Sequence, residues 1–204
     1  MKTTASILAI ALGLAVSAGA AQAQSLNNDQ RNNATIRAQL NATIQNVAGD
    51  VAVTSAAIGN SFSAEGSSLA TLNNYQNFWG DARSDLSASI SSVEGDVAVT
   101  SAAIANSASV EGDWVGVLNN TQFAAYDPTA TLNATVHDVA GDVGTTAAAL
   151  SNSASVDADF GQLASHQVNQ AGVYATMNTT VRNVGGSVNA TAAAIGNSLS
   201  VTGF

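Results

Sequence analysis

Apolar and polar residues alternate along much of the chain with a period of two. Val97 and Val99 alternate with Ala98 and Thr100, and the same pattern recurs around Val51. Such alternation is typical of a β-strand with one buried face, and the abundant Val, Ile, Thr and Ser favour strands. The pattern predicts an all-β protein whose strands are bracketed by glycine.

The alternation changes phase near residues 101–103. Beyond that point Ile104, Asn106 and Val110 alternate with Ala105. A phase change of this kind is expected at a bend or a β-bulge. It would place Ile104 and Asn106 on the same, core-facing side of the strand.

An alanine-rich helix is the alternative for residues 143–150. Asp142 could cap such a helix and Ala147-Ala148-Ala149 favour it, whereas Gly144 and the pair Thr145-Thr146 disfavour it. Short apolar runs do not separate strand from helix by pattern alone, and the strand is the preferred interpretation.

One stretch of the sequence occurs four times. Its fullest copy, at residues 95–112, reads GDVAVTSAAIANSASVEG, and the glycine anchors at 49, 95, 141 and 186 are spaced by 46, 46 and 45 residues. A second block, Leu-Asn-Asn-x-Gln, begins at residues 26, 72 and 118, and only its frame survives at 163. The shorter last step predicts that one residue is lost between Ser153 and Leu163.

A fixed period of this length indicates a solenoid or array. The sequence predicts a β-solenoid, similar to a β-helix, built from four tandem repeats of about 46 residues. Segments between the shared blocks differ most, as in Phe78–Arg83 and Phe123–Pro128, and such variation usually maps to loops. The sole proline, Pro128, fits a loop because proline cannot donate to a sheet ladder. The predicted units span residues 24–69, 70–115, 116–161 and 162–204.

The first residues have the features of a secretory signal peptide. Lys2 precedes an apolar run from Ile7 to Val16, and Ala21-Gln22-Ala23 then has the A-x-A form of a cleavage site. We predict a signal peptide over residues 1–23 and a mature chain, residues 24–204, that forms a single repeat domain. A membrane anchor is the alternative, although the apolar run is short for a spanning helix.

The charge and the cysteine content of the chain indicate which binding partners and which cellular location to expect. The chain has five basic and fourteen acidic residues, a net charge of −9 and no cysteine. So few cations argue against nucleic acid or an anionic membrane surface as a partner. Because a secreted chain without disulfides needs another source of stability, stacking of the repeats is expected to provide it. The mature chain is predicted to be secreted and extracellular, with no membrane insertion.

Amide side chains recur at fixed places in the repeats. A buried amide needs partners for its carbonyl and for its NH2 group, and stacked identical amides supply them to one another. The alternative for the asparagine row is an Asx turn, in which the side chain caps nearby backbone. The predicted ladder residues are Asn60, Asn106, Asn152, Asn197, Gln30, Gln76, Gln122 and Gln167.

Other polar residues give weaker signals. Asp50, Asp96 and Asp142 share one repeat position after a glycine, which fits either an exposed turn or a row of carboxylates for Ca²⁺, and the turn is favoured. The two histidines, His137 and His166, occupy non-equivalent positions. No catalytic set, metal site or cofactor-binding motif can be assembled, so the chain is predicted not to be an enzyme.

Aromatic residues could form a platform for a sugar or an adhesive contact. Two of them, Trp114 and Phe160, take equivalent positions once the deletion is allowed for, and these two are expected to pack in the interior. The candidates are Trp79, Trp114, Phe123, Phe160, Tyr126 and Tyr174.

The layout resembles that of curli-type secreted fibre subunits, which combine a signal peptide, no cysteine, tandem repeats, recurring Gln and Asn, and glycine-containing turns. Gln76, Asn106 and Gly95 and their equivalents are similar parts here. This chain has longer units and lacks the Ser…Gln…Gly…Asn…Gln spacing of that family. The Ala-Ala-Ile-Gly-Asn-Ser block at residues 56–61 also resembles repeats in surface attachment proteins of holdfast-forming bacteria.

These resemblances imply a non-enzymatic subunit at a bacterial cell surface. It would self-associate by β-stacking into a surface fibre, of the functional-amyloid kind, that serves adhesion or a biofilm matrix. Solenoid ends are usually capped by atypical repeats, and here the units are expected to run to both ends of the mature chain without such caps. The expected partners are further copies of the chain, with a surface anchor or secretion-pore protein. The alternative is a monomeric extracellular module that binds a glycan or protein through its variable loops.

Overall fold

The computed structural model describes residues 5–18 and 24–203, and within them every regular element is a β-strand. The all-β prediction is therefore confirmed. Three strands are long, at 27 or 28 residues, because the alternating pattern continues through their Gly-containing middle sections. In chain order the strands are β1 Ala5–Ala18, β2 Gln24–Asn32, β3 Ile36–Val47, β4 Val51–Phe78, β5 Ala82–Val93, β6 Val97–Ala124, β7 Thr129–Val139, β8 Val143–Asn169, β9 Tyr174–Val184 and β10 Val188–Thr202.

The strands form two parallel sheets. The larger has the order β1-β4-β6-β8-β10, with β2 also paired to β4, and the smaller has the order β3-β5-β7-β9. Partners lie one sequence period apart, as Val51 with Val97 and Leu40 with Leu86 show. Because equivalent residues are stacked on one another, the arrangement is consistent with a β-solenoid.

The core lies inside this coil in three clusters. The first halves of the long strands pack against the short strands of the smaller sheet, in one cluster that includes Val53 and Ile90. The same long strands fold back on themselves, so that Phe62 packs in one cluster with Leu72. A third cluster, around Phe78 and Ala103, fills the space between them. Burial on this scale is the main stabilising term for a chain without disulfides.

The helical alternative for residues 143–150 is wrong, because β8 begins at Val143 and is extended throughout. The pairing of β6 with β8 shifts register between Glu111 and Trp114, which places the lost residue opposite, near Asp157, inside the predicted interval. Pro128 lies in the connection before β7.

The predicted position of the phase change is wrong. Ala103, Ala105 and Asn106 are all fully buried, whereas Ile104 is only partly buried. The two consecutive buried residues, 105 and 106, mark the irregularity, and Ala105 and its equivalent Gly59 have no partner in the register. Ile104 therefore does not share the core-facing side with Asn106.

The predicted cleavage site at Ala21-Gln22-Ala23 lies outside the described residues, so the signal peptide stays a prediction. The apolar segment that precedes it is β1, which pairs with the first half of β4 from Ala5 opposite Val51 to Ala18 opposite Ala64. This pairing has the same 46-residue offset that relates β4 to β6.

Candidate functional site: stacked polar ladders and an aromatic groove

The asparagine row forms a continuous hydrogen-bonded ladder in the core. Each amide donates through Nδ2 to Oδ1 of the next asparagine, from Asn60 to Asn106, from Asn106 to Asn152 and from Asn152 to Asn197, at 2.8 Å in each case. The second hydrogen of Asn106 is donated to the Phe123 carbonyl at 2.9 Å. These bonds cross between strands, so the side chains do not act as Asx caps of their own turns.

The glutamine row forms a second ladder that runs in the opposite direction. Gln167 donates to Gln122, Gln122 to Gln76 and Gln76 to Gln30, over 2.7–2.9 Å. Gln76 also donates to the Ser107 carbonyl at 2.8 Å. Each glutamine thus links its own strand by hydrogen bonds to the neighbouring strand and to a backbone carbonyl across the core.

A third ladder was not identified from the sequence. Asn28 donates to Asn74 at 2.6 Å and Asn74 to Asn120 at 2.7 Å, and Asn120 donates to the Ser165 hydroxyl at 3.1 Å. The signal was available, since the second asparagine of each Leu-Asn-Asn block has the same parity as the buried glutamine two residues later. The first asparagine of the block points outward instead.

The aspartate row lies at exposed turns and bonds to backbone. The carboxylate of Asp50 accepts the N–H of Asp96 at 3.0 Å, and the carboxylate of Asp96 accepts the N–H of Asp142 at 2.8 Å. Asp142 accepts the N–H of Ser187 in the same way. Across residues 5–18 and 24–203 there is no group of three or more His, Cys, Asp or Glu placed to hold a metal ion.

One ion-pair cluster joins β3 to β5. Asp85 accepts hydrogen bonds from Arg83 at 2.9 Å and from Arg37 at 3.0 Å. Partial burial raises the pKa of the Asp85 carboxyl, but the hydrogen bonds and charges of Arg83 and Arg37 outweigh it and leave that pKa below its usual range.

The two histidines lie in different sheets and do not come together. His137 is on β7, where its Nδ1 lies 2.8 Å from a carboxylate oxygen of Asp138. Hydrogen bonds from Asn183 and from His137 lower the pKa of Asp138. His166 is on β8, where it lines a shallow groove together with aromatic residues.

This aromatic groove, lined by Tyr75, Trp79, Phe123 and His166, has a volume of about 290 Å³. The Trp79 and Phe123 ring centroids are 5.5 Å apart, and the rings are tilted by 33°. Such a surface of exposed rings can stack on a sugar face or on another apolar surface. Tyr126, in the connection between β6 and β7, and Tyr174, the first residue of β9, are exposed elsewhere.

The expected equivalence of Trp114 and Phe160 is wrong. Phe160 pairs with Val115, and Trp114 pairs with Asp159. Phe160 packs against the core, as expected, but Trp114 is about half exposed. The repeat count missed this because the lost residue lies immediately beside these positions.

These features define a class: an all-β protein of parallel, stacked strands, tied together by polar ladders and lacking a metal-binding cluster in the part of the chain that the structure describes. No helix in that part is long and apolar enough to span a membrane. The family model of holdfast attachment protein D (HfaD) matches residues 1–157 and, in a second match, residues 65–204. The chain therefore belongs to the HfaD holdfast attachment family.

Membership agrees with the holdfast part of the resemblance seen in the sequence, whereas the curli-type part finds no support. The family is a structural and adhesive one and implies a location at the cell surface. No curated protein and no solved structure matches the chain.

Proposed function

We propose that this protein is a secreted structural subunit that assembles by β-stacking of its repeats into a surface fibre or matrix that serves adhesion. The observation that carries the proposal is the open core at the β10 end. Val188 stacks on Val143 and Leu199 on Ala154, in rows that point into the core. Val188 is 49% exposed and Leu199 46%, whereas Val143 is 1% and Ala154 3% exposed.

These two side chains are exposed because no strand in the described chain covers them. Completing the burial of each would be worth about 1 kcal/mol. The outer backbone edges of β9 and β10 are likewise unpaired within residues 24–203. An unpaired parallel edge with an apolar face is a template for another strand. Another copy would satisfy both the backbone and the core.

The four tandem repeats would each supply one layer of the stack, and the fibre would be of the functional-amyloid type found in biofilm matrices. A surface anchor or a secretion-pore protein would connect it to the cell. The predicted signal peptide would direct the chain out of the cell.

Electron microscopy with fibre diffraction tests the proposal. Purified, exported chain incubated at neutral pH should form unbranched filaments, with a reflection near ~4.8 Å along the filament axis from the strand spacing. Particles that remain single and dispersed at every concentration would contradict it.

A monomeric binding module is the second candidate, favoured by the aromatic groove. A glycan or protein ligand would then lose binding in Trp79→Ala, because Trp79 forms one wall of the groove. Trp114→Ala is the matched control, since Trp79 and Trp114 are both 47% exposed and Trp114 lies outside the groove. A glycan array read with both variants, together with sedimentation of the unmodified chain, separates this candidate from the fibre.

A further inference from the structure

The asparagine ladder is incomplete at the β4 end. Asn60 is fully buried, yet its Oδ1 has no hydrogen-bond partner. The residue that pairs with it on β1 is Leu14, and leucine offers no side-chain donor. A buried carbonyl without a donor is destabilising, so this end of the ladder is an acceptor site that a suitable donor would complete.

The β10 end has the complementary defect. Asn106 and Asn152 each donate twice, once to the next asparagine and once to a backbone carbonyl. Within the described residues, Asn197 donates only to the Gln167 carbonyl, at 3.4 Å. Its second amide hydrogen therefore points along the ladder with no acceptor beyond it.

The position held by β1 at one end of the sheet is equivalent to the position held by β10 at the other. β1 pairs with β4 from Ala5 opposite Val51, and β10 pairs with β8 from Val188 opposite Val143. Val51 and Val143 are themselves in one stacked row. A β10 strand from elsewhere would thus fit on β4 in an existing register.

We infer that a second copy of this chain docks its β10 onto the first half of β4, in the place of β1, with Asn197 Nδ2 donating to Asn60 Oδ1. This inference rests on the proposed fibre and defines its subunit contact. The docked strand puts Leu199 opposite Phe62 and Ser200 opposite Ser63, by continuation of the pairings within one chain.

The other strands of the two ends also match. At the β10 end, the outer edges of β9 and of the second half of β8 are open within the described residues. At the opposite end, β2 and β3 lie in the same layer as the first half of β4. Continuing the stacked rows, docking would place Leu163 against Leu26 and Met177 against Leu40. The two end layers would then meet along their whole length.

In this arrangement β1 acts as a removable cover. It satisfies the backbone edge of β4 without supplying the asparagine donor. Copies that retain residues 1–23 should therefore remain monomeric, and copies that have lost them should assemble. Intact mass, measured separately on the monomer and multimer fractions of exported chain, tests this. Copies that retain residues 1–23 should be found in the monomer fraction, and multimers should contain copies that have lost them.

Engineered cysteines test the register, since the natural chain has none. In the exported double variant Ser63→Cys, Ser200→Cys, docking places the two introduced thiols on adjacent strands, within the Cα separation that a disulfide allows. Inside one copy these two positions lie three strands apart, about 14 Å, which is too far. Non-reducing electrophoresis should show a ladder of multimers.

The register control is Ser63→Cys combined with Ser198→Cys. The thiol introduced by Ser198→Cys would lie two residues away along the docked strand, an offset of about 7 Å in that direction, so no disulfide ladder should form. Equal ladders in both double variants would mean that the contact is not the one inferred.

A second test removes only the donor. Asn197→Asp keeps an oxygen that accepts from Asn152 but faces Asn60 Oδ1 without a hydrogen. The critical concentration for assembly should rise roughly tenfold or more. Asn189→Asp adds the same charge to the same exposed strand away from the ladder, and should assemble nearly as the unmodified chain does.

The outcomes separate this inference from the proposed function. Fibres that form without the 63–200 disulfide, or that respond equally to Asn197→Asp and Asn189→Asp, would overturn the docking contact and leave the fibre proposal standing. Exported chain that forms no multimers at all would overturn both.

Discussion

Asparagine suits the centre of a stacked core because one side chain carries both a donor and an acceptor. Asn106 accepts from Asn60, donates to Asn152, and uses its other hydrogen on the Phe123 carbonyl. No other residue of similar size meets all three demands at once. The identity of the residue is thus set by its neighbours above and below, which are themselves asparagines.

Asn106→Ala should be among the most destabilising single changes. It leaves the Asn60 amide and the Asn152 carbonyl without these partners in a buried site and removes a hydrogen bond to the Phe123 carbonyl, at a cost of about 3 kcal/mol. Asn119→Ala is the matched control, because its ladder lies on the outer side and is partly solvated. Urea unfolding should show a loss below about 1 kcal/mol for the control. Equal losses would contradict a special role for the buried row.

The recurrence of asparagine predicted that these residues have the same structural role in every repeat. It did not decide whether that role is a hydrogen-bonded ladder or an Asx turn. Both use the same residue type, and what separates them is whether the side chain is buried between strands. That depends on where the alternation changes phase. The change falls at Ala105 and Asn106, where a small residue and a polar one give no hydrophobic signal.

At the scale of elements, the turns that end the short strands are as regular as the strands. Each short strand has a residue in the left-handed region one position before the valine that ends the strand, with φ between 52° and 58°. Asparagine, aspartate and serine there tolerate this conformation better than β-branched residues do. The glycines that follow bring successive turns into contact. The left-handed residues are Asn46, Ser92, Asp138 and Asn183.

Gly141→Ala should destabilise the fold by about 1–3 kcal/mol, the usual cost of an overpacked site. A Cβ at Gly141 would lie 2.6 Å from the Gly95 carbonyl oxygen, and backbone cannot move aside cheaply. Gly144→Ala is the control, since its Cβ would meet nothing closer than the Val97 carbonyl at 4.0 Å, and Ala98 already occupies the equivalent place. Thermal unfolding of both variants checks the difference. A neutral Gly141→Ala would mean that the turns are not in close contact.

The Asp85 cluster should make the contact between β3 and β5 sensitive to acid. Because the folded-state pKa of Asp85 lies below its unfolded value, its contribution is present above about pH 4 and is lost as the pH falls through the folded pKa. At neutral pH, Asp85→Asn should reduce the free energy of unfolding by up to about 1 kcal/mol. This difference from the unmodified chain should disappear in acid.

Unfolding midpoints of the unmodified chain and of Asp85→Asn, measured from neutral pH into acid, test this pH dependence. Asp29→Asn is the control, because Asp29 pairs with Arg31 on the same strand and joins no two strands. The unfolding midpoint of Asp29→Asn should change with pH in the same way as that of the unmodified chain. A gap for Asp85→Asn that stays constant with pH would argue against the ion-pair origin.

Element type was the most predictable level of this structure. Alternation at Val97 and Val99 is a direct consequence of strand geometry, and it decided correctly against a helix over residues 143–150. Alignment beside the deletion was not predictable, because Trp114 and Val115 both offered a plausible match to Phe160. Only the paired backbone shows that Val115 is the partner.

At the scale of the whole molecule, each layer contacts only the layers next to it, so stability is a sum of layer and interface terms. The sequence predicted that stack through its period. It did not predict that the long strands fold back to enclose separate cores, since Phe62 and Leu72 belong to one uninterrupted strand. Nor did it predict that the first apolar segment lies on β4, because that segment reads as a targeting signal.

Assembly should quicken as the pH falls from neutral into the mildly acidic range. The chain carries a net charge of −9 and a pI near 4.2, so acid reduces the repulsion between approaching copies. Turbidity or dye-binding kinetics at fixed concentration measure the rate. Added salt at neutral pH should act in the same direction through screening. Rates that are indifferent to both would show that charge does not limit growth.

Every amide of the buried asparagine row donates toward β10, and every strand runs parallel to its neighbours. A filament of such subunits has polarity, with two chemically different tips. In the asparagine row one tip ends in the Asn60 carbonyl oxygen and the other in the Asn197 N–H group, whereas the glutamine ladder ends the opposite way. Growth at the two different tips would proceed at different rates. An attachment structure built in this way can be held by the cell at one tip while it still lengthens at the other.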